Sequence, residues 1–146
     1  MVMFNQQHAF HCFALAALLL LPRCLFAEVL VVTGANSPSI TVSRNQVSDL
    51  FTGKVAFLPG GATAVPVDQP ESNPLREEFY AKVSNKSVAQ VKASWAKLYF
   101  TGRGVPPREG AGSDDIKKLV NSMPGAIGYI ERASLDGSVK IIFVAQ

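Results

Sequence analysis

Two runs of apolar, mostly β-branched residues, Glu28–Gly34 (EVLVVTG) and Val139–Val144 (VKIIFV), bracket a chain punctuated by helix start signals. Runs of that length and composition read as buried strands. The segment between them carries two capping boxes, Ser43-Arg44-Asn45-Gln46 and Ser87 with Gln90. In each, the Ser side chain takes a first-turn N–H and the Gln reaches back to the cap. Strands interleaved with helices predict an α/β layered domain, a central sheet flanked by helices.

The helices can be placed from their apolar spacing. Val47, Leu50 and Phe51 follow Ser43, and Gly53 supplies the stop. Ala64–Val67 is a short strand that ends in Asp68-Gln69. Asn73-Pro74 then opens a second helix, with Pro at the tolerated first position and Leu75, Phe79 and Val83 as its stripe. Val88, Val91, Trp95, Leu98 and Tyr99 form one face of a third helix. Thr101–Ser113 holds four Gly and two Pro in thirteen residues, so a loop is expected. Ser113 is expected to cap a short helix with Ile116, Leu119 and Val120 inward. Ala126–Ile130 and the final run complete the strands, after turns at Pro124-Gly125 and Asp136-Gly137.

The first 27 residues differ in kind. Met1–Ala27 has 20 apolar residues, and Phe13–Leu21 is an unbroken apolar run ending before Pro22-Arg23. A core of nine apolar residues followed by Ala27 reads as a secretory signal peptide, with a cut after Ala27 and a periplasmic or secreted product. An uncleaved anchor is the alternative. Residues 28–146 then form one domain, with no membrane span after cleavage. The leader also holds both histidines, His8 and His11, and both cysteines, Cys12 and Cys24. A domain without His or Cys has no Ser-His-Asp triad, thiol nucleophile, disulfide or zinc site of the usual ligands. Without Arg23, 13 Lys and Arg face 11 Asp and Glu. The charges are interspersed, and no basic run interleaved with aromatics marks a nucleic-acid surface.

Catalytic motifs are missing too. Ser94-Trp95-Ala96-Lys97 matches a Ser-x-x-Lys pattern but falls inside a helix, without the motifs that accompany it. Thr52-Gly53-Lys54 is a helix end rather than a phosphate loop. Glu77-Glu78 and Asp114-Asp115 are adjacent acids in first turns, where they suit the helix dipole and point apart. No catalysis, metal or cofactor is expected. The remaining constellation is Gln69, Ser72, Asn73 and Arg76, where a strand end feeds a helix N-terminus. That geometry collects backbone N–H groups for an anion. Plain capping, with Arg76 paired to a neighbouring carboxylate, explains the same residues.

Asn45–Lys54 (NQVSDLFTGK), Ala64–Tyr80 (AVPVDQPESNPLREEFY) and Val120–Ile130 (VNSMPGAIGYI) resemble the phosphate-type periplasmic substrate-binding proteins of ABC transporters. The resemblance implies one lobe of a type II periplasmic-binding-protein-like fold, most of it the second lobe, and no enzymatic activity. It implies a small oxyanion as ligand, held between lobes. The family's anion loop runs Arg, three residues, then Ser-Gly-Thr. Anchored on Arg76-Glu77, those positions are Gln69, then Asn73, Pro74 and Leu75. The guanidinium, one hydroxyl and one backbone donor are therefore replaced, which implies weak anion binding. The competing expectation is an interaction module whose cleft-equivalent face meets another protein or a second copy.

Overall fold

The computed structural model describes residues 28–146; the proposed signal peptide lies outside the described residues. Five strands form one mixed sheet in the order β3-β2-β4-β1-β5. β4 (Ala126–Glu131) is its central strand, and β1 (Val29–Gly34) lies between β4 and the edge strand β5 (Val139–Ala145), antiparallel to both. β2 (Val65–Asp68) runs parallel to β4 and to the two-residue β3 (Arg108–Glu109). All six residues of β1 are buried, which explains its unbroken apolar sequence.

The alternation of side chains along β1 divides the interior in two. Val29 and Val31 join Ile127, Tyr129, Ile142 and Ala145 on one face, under α1 (Arg44–Phe51), α2 (Pro74–Ser84) and α3 (Val88–Phe100). Leu30 and Val32 join Val67, Ala126, Ile130 and Val139 on the other, under α4 (Ser113–Ser122). The first face is keyed by aromatics. Phe79 stacks on Tyr129 with ring centroids 3.8 Å apart, and Phe51 meets Phe79 edge-on at 4.8 Å. A bulge in β5 opposite Val31 and Val32 leaves the Ile142 carbonyl free to accept from Val42 N–H at 3.2 Å.

Both capping boxes form, at Ser43 and at Ser87. Asn73 caps α2 through its side chain, and Pro74 occupies the first turn. Gly53 takes a positive φ of 80° just beyond α1, as a helix stop requires.

The structure departs from expectation in four places. The run Val139–Val144 is an edge strand rather than a buried one, with Ile141 39% exposed. Gly112, not Ser113, is the N-cap of α4, and Ser113 makes no cap bond. The Ser113 hydroxyl donates instead to Glu131 at 2.5 Å, a stronger acceptor than a backbone group can offer. The Gly/Pro-rich segment is not wholly loop, because Arg108 and Glu109 pair with Val67 and Asp68. Finally, the apolar face of α3 is buried only at its start. Val88 and Val91 are buried and Trp95 is half-buried, whereas Tyr99 is 57% exposed. No described helix is long and apolar enough to cross a membrane.

Candidate functional site

β2 carries Asp68 and Gln69 to the end of the sheet, and Pro70-Glu71-Ser72 turns the chain into α2. The turn is closed by Asn73 N–H to the Pro70 carbonyl at 2.9 Å. Three of the four residues singled out from sequence meet here. Asn73 donates through Nδ2 to Gln69 Oε1 at 3.2 Å, and Arg76 donates through Nη1 to the Gln69 carbonyl at 3.0 Å. Ser72 is exposed, and its hydroxyl makes no hydrogen bond among the described residues.

The side chains that resemblance would aim at an anion face inward. Gln69 is fully buried; its amide donates to the Tyr129 carbonyl at 3.0 Å and to Ser113 Oγ at 3.2 Å. Arg76 is buried as well. Its Nη1 meets Glu109 Oε1 at 2.5 Å, and its Nε lies 3.4 Å from Asp68 Oδ2, within ion-pair range but without a hydrogen bond. The backbone donors at the start of α2 are used in the same way. Pro74 has none, Leu75 N–H goes to Asn73 Oδ1 at 3.0 Å, and Arg76 N–H goes to the Asn73 carbonyl at 3.0 Å.

Asp68 is the centre of this network. Its Oδ2 accepts from the Tyr80 hydroxyl at 2.7 Å, and its Oδ1 accepts from the Tyr129 hydroxyl and from Gln69 N–H. Burial pushes the Asp68 carboxyl above its ordinary range, against the pull of Tyr129, Tyr80, Arg76 and the Gln69 N–H. The two phenols are raised in turn, first by burial and then by the Asp68 charge, so both stay protonated donors. Burial works against the Arg76 charge, but Asp68 and Glu109 outweigh it and its pKa rises. At the neighbouring carboxylate, Glu131, burial is outweighed by the Ser113 and Ser134 hydroxyls, and the pKa falls.

Asp68, Tyr80, Tyr129 and Glu109 were not singled out from sequence. Tyr80 did leave a signal, since it stands four residues after Arg76 on one face of α2. Tyr129 and Glu109 come from segments about 60 and 40 residues away and left none. Ser94, of the Ser-x-x-Lys match, donates to the Gln90 carbonyl inside its own helix. No trio of acidic side chains among the described residues is placed to hold a metal.

The mixed sheet with helices on both faces is an α/β layered domain, and its likeness to solved structures makes it similar to one lobe of a periplasmic-binding-protein-like architecture. Comparison with solved structures gives the particular relatives. A proposed phosphate ABC transporter substrate-binding protein of Clostridium perfringens, with phosphate bound, superposes with a TM-score of 0.63 at 27% identity over 80% of this chain. An ABC-type phosphate transport receptor of Vibrio cholerae superposes at 0.61 with 20% identity, and PstS of Borrelia burgdorferi at 0.59 with 11%, each again over 80% of this chain. The chain spans about half the length of these relatives, 45% of the first and 46% and 47% of the others. It is thus similar to a single lobe of the phosphate-type substrate-binding proteins. No family model and no curated protein matches the sequence.

Proposed function

We propose that this is an exported, non-catalytic, solute-binding-like lobe of the phosphate class whose anion position is satisfied by its own side chains. On this reading phosphate binds weakly or not at all, and the protein works through its surface rather than by carrying the ion. The observation that carries the reading is the burial of Arg76 between Asp68 and Glu109, with its Nη1 already donating to two oxygens. An anion entering there would have to displace Glu109, itself an anion, and would find the first α2 donors taken. The likeness to substrate-binding proteins supports the absence of catalysis, and the apolar leader supports export to the periplasm or beyond.

The test is a thermal melt in phosphate against a chloride buffer of matched ionic strength. A micromolar site in about 10 mM phosphate would gain about 5 kcal/mol, whereas a site of about 10 mM affinity would gain about 0.4. For a domain of this size these are shifts of roughly 20 °C and 2 °C. A rise above about 10 °C that vanished in Arg76→Ala would overturn the reading. It would mean that Arg76 leaves its carboxylates for the ligand, with Gln69, Ser72 and Asn73 completing the site.

A further inference from the structure

We propose that the C-terminal end of α3 and the turn after it form a docking surface for an anionic lipid bilayer. Three apolar side chains stand out from the domain there: Tyr99 is 57% exposed, Phe100 84% and Val105 75%. The turn carries Val105 back beside the helix that bears the two rings. Arg103 N–H donates to the Leu98 carbonyl at 2.8 Å and Gly102 N–H to the Tyr99 carbonyl at 3.1 Å, folding the turn back on the helix. Gly104 then lies against Trp95, where a Cβ would be 3.3 Å from the indole. Gly53 flanks Trp95 and Leu98 from α1, and Val55, 43% exposed, follows it. The Tyr99 and Phe100 rings meet edge-on at 5.8 Å, so the two aromatics are presented together.

Charge selects the partner. From Phe79 to Arg108 the chain has six Lys or Arg and no Asp or Glu, of which Lys82 and Lys92 are paired with Glu78 and Glu71. Along the sequence these cations are dispersed, but Lys97 and Arg103 bracket the aromatics, and neither has a side-chain partner among the described residues. Lys54, beside Gly53, is largely exposed and reaches only a distant Asp49 at 3.7 Å. Exposed aromatics flanked by cations suit the headgroup layer of an anionic membrane. The exposed apolar area, roughly 400 Å² from the exposed fractions, is about half of what one side of a stable protein interface buries. A lipid surface needs no such area, because each cation near it raises partitioning about fivefold and inserted rings add to that. The Gln69–Arg76 network takes no part, so this inference does not depend on the fate of phosphate there.

Trp95 is the only tryptophan of the chain and lies directly beneath the patch, so it reports on docking while the leader, which has none, stays silent. The experiment mixes the full chain with phosphatidylcholine vesicles, with or without about 30 mol% phosphatidylglycerol, carrying brominated acyl chains. Trp95 emission should be quenched on the anionic vesicles and recover in about 0.5 M salt. The double variant Lys97→Glu, Arg103→Glu should lower the partition coefficient by at least about 25-fold. Phe100→Ser should lower it by about tenfold with an unchanged melting temperature, since the ring is outside the core. Equal quenching on vesicles without phosphatidylglycerol would overturn the proposal. So would quenching that survives in the double variant, which would show that docking does not need these cations. A Trp95 response to soluble polyglutamate but not to vesicles would overturn it in favour of an acidic protein partner.

Discussion

Replacing Arg76 with leucine removes the cation of a buried pair and leaves its carboxylate behind. The Arg76 and Asp68 side chains are only 7% and 2% exposed. Breaking a pair of that kind from one side costs about 3–5 kcal/mol, because the surviving charge has lost its compensation. Asp68 keeps Tyr80, Tyr129 and the Gln69 N–H, and the half-exposed Glu109 can turn to water, so the lower end applies. We expect a loss of about 3 kcal/mol at neutral pH, or roughly 12 °C in melting temperature. The pH dependence is the sharper test. The folded-state pKa of Asp68 lies above its unfolded value, burial being the main cause. The folded chain therefore binds more protons between the two, and stability falls as the pH rises through the folded pKa. Arg76 opposes this shift. Without it the raised pKa moves further up, so the deficit of Arg76→Leu is greatest near neutrality and shrinks as acid protonates Asp68. Urea unfolding of both proteins, followed by Trp95 fluorescence, should show a deficit of about 3 kcal/mol at neutral pH that shrinks steadily as the pH is lowered and Asp68 takes up its proton. A deficit below about 1 kcal/mol at neutral pH, or one independent of pH, would refute the argument that Arg76 serves a charged Asp68.

Gly125→Ala should cost at least about 3 kcal/mol, since the residue sits at φ 77° and a Cβ would lie 2.1 Å from the Thr63 carbonyl oxygen; failure to recover folded protein, or a large drop in urea midpoint, checks this. Trp95→Ala should cost about 2–4 kcal/mol, because the half-buried ring packs on the core and its Nε1 donates to the Phe51 carbonyl at 2.9 Å. Chemical denaturation followed by circular dichroism measures it, and a cost below about 1 kcal/mol would contradict the packing. Ser87→Ala should cost about 1 kcal/mol through the loss of the α3 cap, read from the same melts. Mass spectrometry of the exported protein should find a chain beginning at Glu28; an intact Met1 terminus in the membrane fraction would count against cleavage.

The elements with local chemistry were legible in the sequence. Ser43, Ser87 and Asn73-Pro74 announce α1, α3 and α2, because a cap and the donors it satisfies lie within three residues. The β-branched runs that became β1 and β5 were legible as strands, but only β1 is buried throughout; β5 lies at the sheet edge, with Val139, Ile142 and Ala145 buried and Ile141 39% exposed. β3 was not legible, since two residues have no periodicity and its pairing is supplied by β2. The exposure of Tyr99 and Phe100 was hidden as well, because helical spacing gives the face of a helix but not how far along it the core extends. At the site, the position of Gln69 and Arg76 near a helix start was legible, and so was the option that Arg76 pairs with a carboxylate. The identity of the partners was not. Glu109 and Tyr129 reach Asp68 only through the β2–β3 and β2–β4 pairings, and Tyr80 reaches it from α2.

The place of β1 in the sheet governs how the chain can fold. The first described strand is an interior one, and both of its neighbours are the last two strands, with Val29 opposite Glu131 and Ala145. No partner for β1 exists until about a hundred more residues are present, and closing so long a loop precedes any gain from pairing. Folding should accordingly be slow for a domain of this size, with Val29–Val32 open to misassociation meanwhile. A chain cut before Val139 would strip one whole side of the fully buried β1 and open both cores, so truncation there should abolish folding rather than fray an edge. A sequence threaded across a membrane from its N-terminus would, by the same logic, stay unfolded until its last residues had followed.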